Sequence, residues 1–343
     1  MLAMVVNAAH PLMEPMAYRT KQDATHILTA MIIRQKFFSE HQYRIFLKEH
    51  DEVIEFFKTN TFQSDSPEEE ATLRATHFKQ LAFDRLFAAY TAGEEISTLT
   101  PLLEDLIIKY ETRQAKLAEY QKTPDISPLA INDWPDEYEE CVQVVGFCIL
   151  LHRTDLLQRF VKLIDAAGYA GDDTLYEDLL IKLLPNRHDV DQWFHDVYSP
   201  LIRAIYAESK EEASTHLKKY CSQWYSAFKQ APWHDTHLQG ENGNYIGYWA
   251  IEAGAVAFLY GIDDSKIDHM VYPKDLVEYA RNYRPTNGSQ VARVDAGQPC
   301  NRTGYWFTPA KAESRRHFNQ GEIMPGFSDS HWGDTIWYWS SEE

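Results

Sequence analysis

Apolar residues return at three- and four-residue intervals along most of the chain, the spacing that gathers them on one side of an α-helix. From Arg19 to Lys58 the recurring positions are Ile27, Met31, Phe38, Ile45 and Phe46, with no proline or glycine between. That stretch predicts one long helix, or two that meet near Ser39. In "SPEEE", Ser66 can cap a helix, Pro67 suits its first position and Glu69 completes a capping box. This helix carries Leu73, Leu81 and Phe87 and should stop by Gly93. Thr100 and Pro101 repeat the device before an apolar face of Leu102, Leu103, Leu106, Ile107, Tyr110 and Leu117. A proline-punctuated loop, 122–135, separates these from predicted helices at 136–151, 153–168, 173–184, 190–207 and 210–229. Ser209 and Glu212 form a second capping box. The polar segment 232–244 reads as a loop, and 245–260 and 272–283 as two more helices. No fixed-period repeat is visible.

The pattern changes after Pro285. "RPTNGSQ" reads as a linker, and the rest is rich in Gly, Pro, Trp and Tyr. "GYWFT" (304–308) and "DTIWYW" (334–339) have strand composition, and a helix is expected near 309–319. The expected fold is mainly α: a multi-helix bundle of helical hairpins with a small β-containing C-terminal appendage. Its expected parts are an N-terminal helical region, 19–150, a second helical region, 151–285, and an appendage, 289–343, packed on the body because so short a segment buries little surface alone.

Composition narrows the function. The 343 residues carry a net charge of −18 and are 44% apolar. Such a field repels nucleic acid and anionic lipid and speeds encounter with a basic protein, although acidic proteins are common and charge alone selects no function. The four cysteines, at 141, 148, 221 and 300, contain no CxxC pair. Cys141 and Cys148 are two helical turns apart, about 10 Å, beyond disulfide reach. They read as core residues in a reducing compartment. The N-terminal stretch lacks a basic region and is interrupted by Pro11, Glu14 and Pro15, which reads against a signal peptide. No apolar run is long enough to span a bilayer, and a cytoplasmic location is expected.

Candidate chemistry centres on one acid in a greasy segment. Glu252 shares a helical face with Tyr248, Trp249, Ala255, Val256 and Leu259. It could be a catalytic group, a metal ligand or a buried structural partner. Burial demands pairing, which Lys274, Arg281 or a tyrosine hydroxyl could supply from the following helix or elsewhere, and structural pairing outweighs catalysis. His234 and His237 flank Asp235 in a loop, yet no third metal ligand stands near them in sequence, and no HExxH occurs. GxSxG, Walker A and GxGxxG motifs are absent, which removes the common enzyme classes. A metal-dependent hydrolase built from Glu252, His234 and His237 remains the alternative. The acids cluster at helix starts and turns: Asp133, Asp136, Glu137, Glu139 and Glu140 around Trp134 and Tyr138, then Asp172 and Asp173, then Asp263, Asp264 and Asp268. Carboxylates stabilise helix N-termini by about 0.3–1 kcal/mol each, which accounts for Asp263 and Asp264 as caps. The 133–140 cluster exceeds what one helix start needs. Aligned on one side, these turns would present an acidic surface with aromatic anchors to a basic partner.

"GYWAIEAGAVAFLYGIDDS" followed by "YPKDLVEYAR" resembles the C-terminal signature of the PoNi family, immunity proteins of polymorphic nuclease toxins. There a Tyr-Trp-x-x-Glu-Ala-Ala helix leads into Asp-Asp and then a Tyr-Pro-Lys-Asp turn. The matching positions are Tyr248, Trp249, Glu252, Ala253, Asp263, Asp264, Tyr272, Pro273, Lys274, Asp275 and Leu276. Gly254 departs from the family's alanine, a change expected only to loosen packing. The tail, "CNRTGYWFTPAKAESRRHFNQGEIMPGF", is similar to a module on immunity proteins encoded beside type VI and Rhs toxins. The resemblance implies a mostly helical, non-enzymatic cytoplasmic antidote that needs no cofactor. It would occlude a basic, DNase-type toxin domain through its acidic surface, binding neither nucleic acid nor membrane directly; a homodimer is left open. It implies scaffold roles for the signature residues, with Glu252 paired to Lys274 or Arg281 and Trp249 in the core.

Overall fold

A computed structural model of the protein describes residues 32–284, 293–308, 311, 314–327 and 335–341. The N-terminal stretch read against a signal peptide, the start of the 19–58 helix and most of the predicted linker lie outside them. Ten α-helices run through the described residues: α1 (Glu40–Thr59), α2 (Pro67–Ala92), α3 (Leu99–Gln121), α4 (Pro135–Leu150), α5 (Thr154–Ile164), α6 (Thr174–Leu180), α7 (Ser199–Ile205), α8 (Lys210–Ala227), α9 (Ile251–Tyr260) and α10 (Lys274–Asn282). Four short strands follow, β1 (Arg293–Asp295), β2 (Gly304–Phe307), β3 (Arg316–Phe318) and β4 (Ile336–Ser341). The protein is mainly α with a small β appendage.

Caps set several of the boundaries. Ser39 accepts a hydrogen bond from the Gln42 amide and starts α1, and residues 32–39 before it are not helical. Ser66 accepts from the Glu69 amide (3.1 Å), and the Glu69 carboxylate reaches back to the Asp65 amide (2.7 Å). Ser209 and Glu212 do the same for α8, on the Glu212 and Glu208 amides. Thr100 does not cap α3; a 3-10 turn at Ile96–Thr98 runs straight into that helix, which begins at Leu99.

The core is one continuous cluster extending from Phe38 to Ala280. Its centre is α4, where every residue from Cys141 to Leu150 is buried; a helix apolar on all sides belongs in a core. The helices α5, α6, α9 and α10 pack around α4, while α2 pairs with α3 and α7 with α8. The segment before α1 is tied into this body. The Gln35 side chain donates to the carbonyls of Tyr248 (2.6 Å) and Met270 (3.0 Å) and accepts from the Tyr248 amide (2.8 Å).

Four predicted helices are shorter than their patterns; the 173–184 helix is only Thr174–Leu180. The 153–168 helix ends at Ile164 and passes into a wide π turn, Asp165–Tyr169, closed by Gly168. Most of 190–207 is an irregular loop, with a 3-10 turn at Asp196–Tyr198 and helix only from Ser199. The 245–260 helix starts at Ile251, because Gly247 takes φ +112° and Ala250 donates to the Val271 carbonyl (2.8 Å) instead of continuing a helix. Gly254 also proves to be tight. A Cβ there would sit 2.7 Å from Pro273 and 2.9 Å from Val277, so the glycine lets α9 close on α10 and does not loosen the contact.

The strands form one antiparallel sheet in the order β1-β4-β2-β3. Val294 faces Trp337, Trp306 faces Trp339 and Tyr305 faces His317. The sheet has its own small core of Val294, Cys300, Trp306, Phe318, Met324 and Trp337. Of the helix expected near 309–319, residues 316–318 are instead strand β3, because antiparallel pairing with Gly304–Trp306 overrides a local helical preference. Residues 309, 310, 312 and 313 lie outside the described residues.

Candidate protein-binding surface

Three loops are stitched together at the N-terminal end of α4. The first leads into α4, the second is the π turn and its exit through Asp173, and the third runs from Pro185 to Asp196 between α6 and α7. The His195 ring contacts the Ile131 carbonyl (2.8 Å) and packs edge-on against Tyr138. Tyr169 donates to Asn132 (2.7 Å) and meets Phe194 edge-on. Thr174 donates to the Gln192 carbonyl from its amide (2.8 Å) and to the Val190 carbonyl from its hydroxyl (2.9 Å). Buried Asp173 is the rivet: it accepts from the Tyr138 hydroxyl, the Tyr176 amide (2.9 Å) and the Phe194 amide (2.9 Å). Burial raises its pKa and these donors oppose the rise.

The outer side of this assembly is acidic and aromatic. Asp133, Asp172, Asp189, Asp191 and Asp196 are exposed, and Asp136 and Glu137 are half-buried. Trp134 stands 60% exposed and Trp193 38% exposed among them. The Tyr169 hydroxyl is pushed up in pKa by burial and then by the negative charges of Asp133 and Glu137. The arginine of the third loop, Arg187, does not offset this charge. Its buried guanidinium is committed to Asp165 (2.5 Å) and Glu177 (2.7 Å). Beside the face lies a groove of about 450 Å³ lined in part by Asp125, Pro128, Glu137 and Tyr169.

The acids expected at an interface therefore separate. Asp133, Trp134, Asp136, Glu137 and Asp172 share the face. Glu139 and Asp173 point into the core, and Glu140 is taken up by Lys79 (2.6 Å) and the Tyr110 hydroxyl. Helical spacing turns α4 inward after its first turn, which buries Glu139, and Asp173 is drawn inward by its three donors. Asp263, Asp264 and Asp268 lie in the α9–α10 turn. Asp263 caps Ser265 there (2.9 Å), and Asp264 is buried against Tyr272 (2.6 Å) and Arg281 (2.6 Å). Asp189, Asp191, Trp193 and Asp196 were missed. The signal was present in "HDVDQWFHD", but a helical reading of 190–207 scattered those residues around a cylinder instead of along a loop.

Most of the signature residues are interior, Asp263 and Lys274 being exposed. Trp249 donates to Thr91 Oγ1 (2.8 Å), and the Tyr248 hydroxyl meets His237 Nδ1 (2.8 Å). Asp275 binds Arg34 and the Tyr90 hydroxyl (2.6 Å), and Pro273 packs on Gly254. Lys274 is exposed, and its ammonium reaches only the Ser265 carbonyl (3.4 Å). Glu252 thus pairs with neither Lys274 nor Arg281. Its Oε1 accepts from the Tyr220 hydroxyl (2.6 Å) and Trp224 Nε1 (3.1 Å), so of the partners weighed it is a tyrosine hydroxyl, on α8, that is found, with an indole beside it and no cation. His234 stacks on Tyr225 and pairs with Asp235. Among the described residues no three His, Cys, Asp or Glu side chains converge as metal ligands.

Residues 171–276 match the model of the PoNe immunity proteins (PoNi), C-terminal. That segment is PoNi-like. The PoNi match begins at the turn carrying Asp172, contains the third loop and the whole signature helix, and ends in α10; the loop before α4 lies outside it. No curated protein matches the chain. Among solved structures, that of protein PA2201 from Pseudomonas aeruginosa is similar, with a TM-score of 0.55 at 19% identity. It covers 74% of this chain and 92% of the other, a likeness of fold.

Proposed function

We propose that this chain, with its PoNi-like segment, is an immunity protein that neutralises a cognate secreted toxin by stoichiometric occlusion, without catalysis. The carrying observation is the face itself: seven carboxylates and two exposed tryptophans on three loops riveted through Asp173. A nuclease must present a basic surface to phosphates, and a rigid acidic face can take the place of nucleic acid there. Exposed tryptophans supply the anchors on which interface affinity concentrates. The PoNi match over residues 171–276 supports an antidote role, and a DNase-type toxin of the type VI or Rhs kind fits the charge. Four buried, free cysteines suit action in a reducing cytoplasm.

Co-expression with a candidate toxin from the neighbouring reading frame tests the reading. Expected are rescue of growth, a one-to-one complex on gel filtration, and affinity that falls as salt rises. Unchanged killing with the chain in saturating excess overturns the proposal, as does turnover of a substrate by the purified chain.

A further inference from the structure

We propose that Glu139 and Glu252 form a proton-dependent latch that clamps α4 to α8 and α9, tight while both carboxyls are neutral and loosened when the pair gives up a proton. The two acids come from different helices and are both buried, 4% and 0% exposed, on either side of one indole pair. Each is held by one indole of a stacked pair. Trp233 Nε1 donates to Glu139 Oε2 (2.7 Å) and Trp224 Nε1 to Glu252 Oε1 (3.1 Å), with the rings 4.9 Å apart and nearly parallel. Gln143, which also binds the Trp249 carbonyl (2.8 Å), donates to Glu139 Oε1 (2.5 Å), and Tyr220 donates to Glu252 Oε1 (2.6 Å). Glu252 Oε2 and the nearby Tyr198 hydroxyl have no hydrogen-bond partner among the described residues.

The groups bearing most on the pair are none of them cationic. Around Glu139 they are Glu252, Trp233, Asp136 and Glu140; around Glu252 they are Tyr220 and Trp224, and its own charge bears on Tyr198 and Cys221. Two unpaired negative charges cannot share such a site, because desolvation and mutual repulsion both favour the neutral acid. Burial raises both carboxyls, Glu252 to about 7, and the Glu252 charge raises Glu139 further. The folded pair therefore keeps protons that the unfolded chain loses. Its contribution to stability is full below the ordinary glutamate range, declines as pH rises toward neutrality, and is lost above the folded value. In the native state the released proton goes to solvent and leaves a buried anion between two indoles.

The test uses the full chain, with no partner added. Tryptophan fluorescence and near-ultraviolet circular dichroism are followed from about pH 5 to about pH 9. The expected result is one reversible transition near neutrality that disappears in both Glu139→Gln and Glu252→Gln. A Trp233→Phe variant should lose most of its amplitude. Asp173 and Asp178 are also raised by burial, so the indole signal, not the melting profile, identifies the pair. A transition that survives in both glutamine variants, or none in the wild type, overturns the latch. Should the glutamine variants fail to fold, infrared difference spectra of the wild type decide. Loss of a protonated-carboxyl stretch in step with the fluorescence supports the latch, and a constant band refutes it.

Discussion

At the scale of single residues, the buried acid in the greasy helix is held by neutral donors, and that makes each donor count. The Tyr220 hydroxyl is buried and donates to Glu252 Oε1 at 2.6 Å. Tyr220→Phe removes the donor while keeping the ring, and leaves a buried oxygen less satisfied. The expected cost is about 1–3 kcal/mol in urea denaturation, with the Glu252 carboxyl pushed further up because that hydrogen bond holds it down. Gly254 gives a second check. Alanine there places a methyl against Pro273 and Val277 at 2.7–2.9 Å. Overpacking of that kind costs about 1–3 kcal/mol, so Gly254→Ala should lower the denaturation midpoint although it restores the alanine of the signature this segment resembles. An unchanged midpoint would mean that α10 yields at no expense. Neither effect is legible from periodicity, which tells which face is buried but not which atoms on the opposite wall come close.

At the scale of elements, legibility followed the strength of local chemistry. Capping boxes at Ser66 and Ser209 placed α2 and α8 correctly, because a cap is a short-range interaction written in adjacent residues. The first turn of the 245–260 pattern went wrong for a tertiary reason. Tyr245 and Tyr248 sit on a helical stripe, yet Gln35, more than two hundred residues away, captures the Tyr248 amide and carbonyl and draws the chain into an extended path. Gly247 makes that path accessible at φ +112°, and a Cβ there would lie 2.1 Å from Thr91 Oγ1. Gly247→Ala is therefore both strained and obstructed. It should destabilise by about 2 kcal/mol or more, combining the cost of a left-handed non-glycine backbone with that of overpacking, and hydrogen exchange should quicken first in the 245–250 segment. The 190–207 loop failed for a related reason. Its apolar residues, Phe194 and Val197, pack inward from an irregular backbone fixed by Asp173 and Thr174, and helical bookkeeping cannot see anchors from another segment.

At the scale of the whole molecule, a net charge of −18 acquires direction. Several acids that look equivalent in sequence are consumed inside: Glu139, Glu140, Asp173 and Asp264 bind indole, ammonium, amide and guanidinium groups. Those left over at the α4 end form a field in which the exposed cation of the three loops is Lys122, back at the end of α3, and the tryptophans stand within it. Charge and anchor should then fail differently. Replacing Asp133, Asp172 and Asp191 together by asparagine removes three negative charges from exposed positions that hold no buried partner. The association rate with a basic toxin should fall about tenfold or more at low salt, and the deficit should shrink at high salt, where the wild type loses its own steering. Trp134→Ala instead removes an anchor without touching the field. It should speed dissociation, costing about 1–3 kcal/mol of affinity with little salt dependence. Thermal melting of the free chain should stay near the wild-type value in both, since none of these side chains is in the core. Stopped-flow association and dissociation rates at two ionic strengths separate the cases, and wild-type rates in both variants would move the toxin site away from the α4 end altogether.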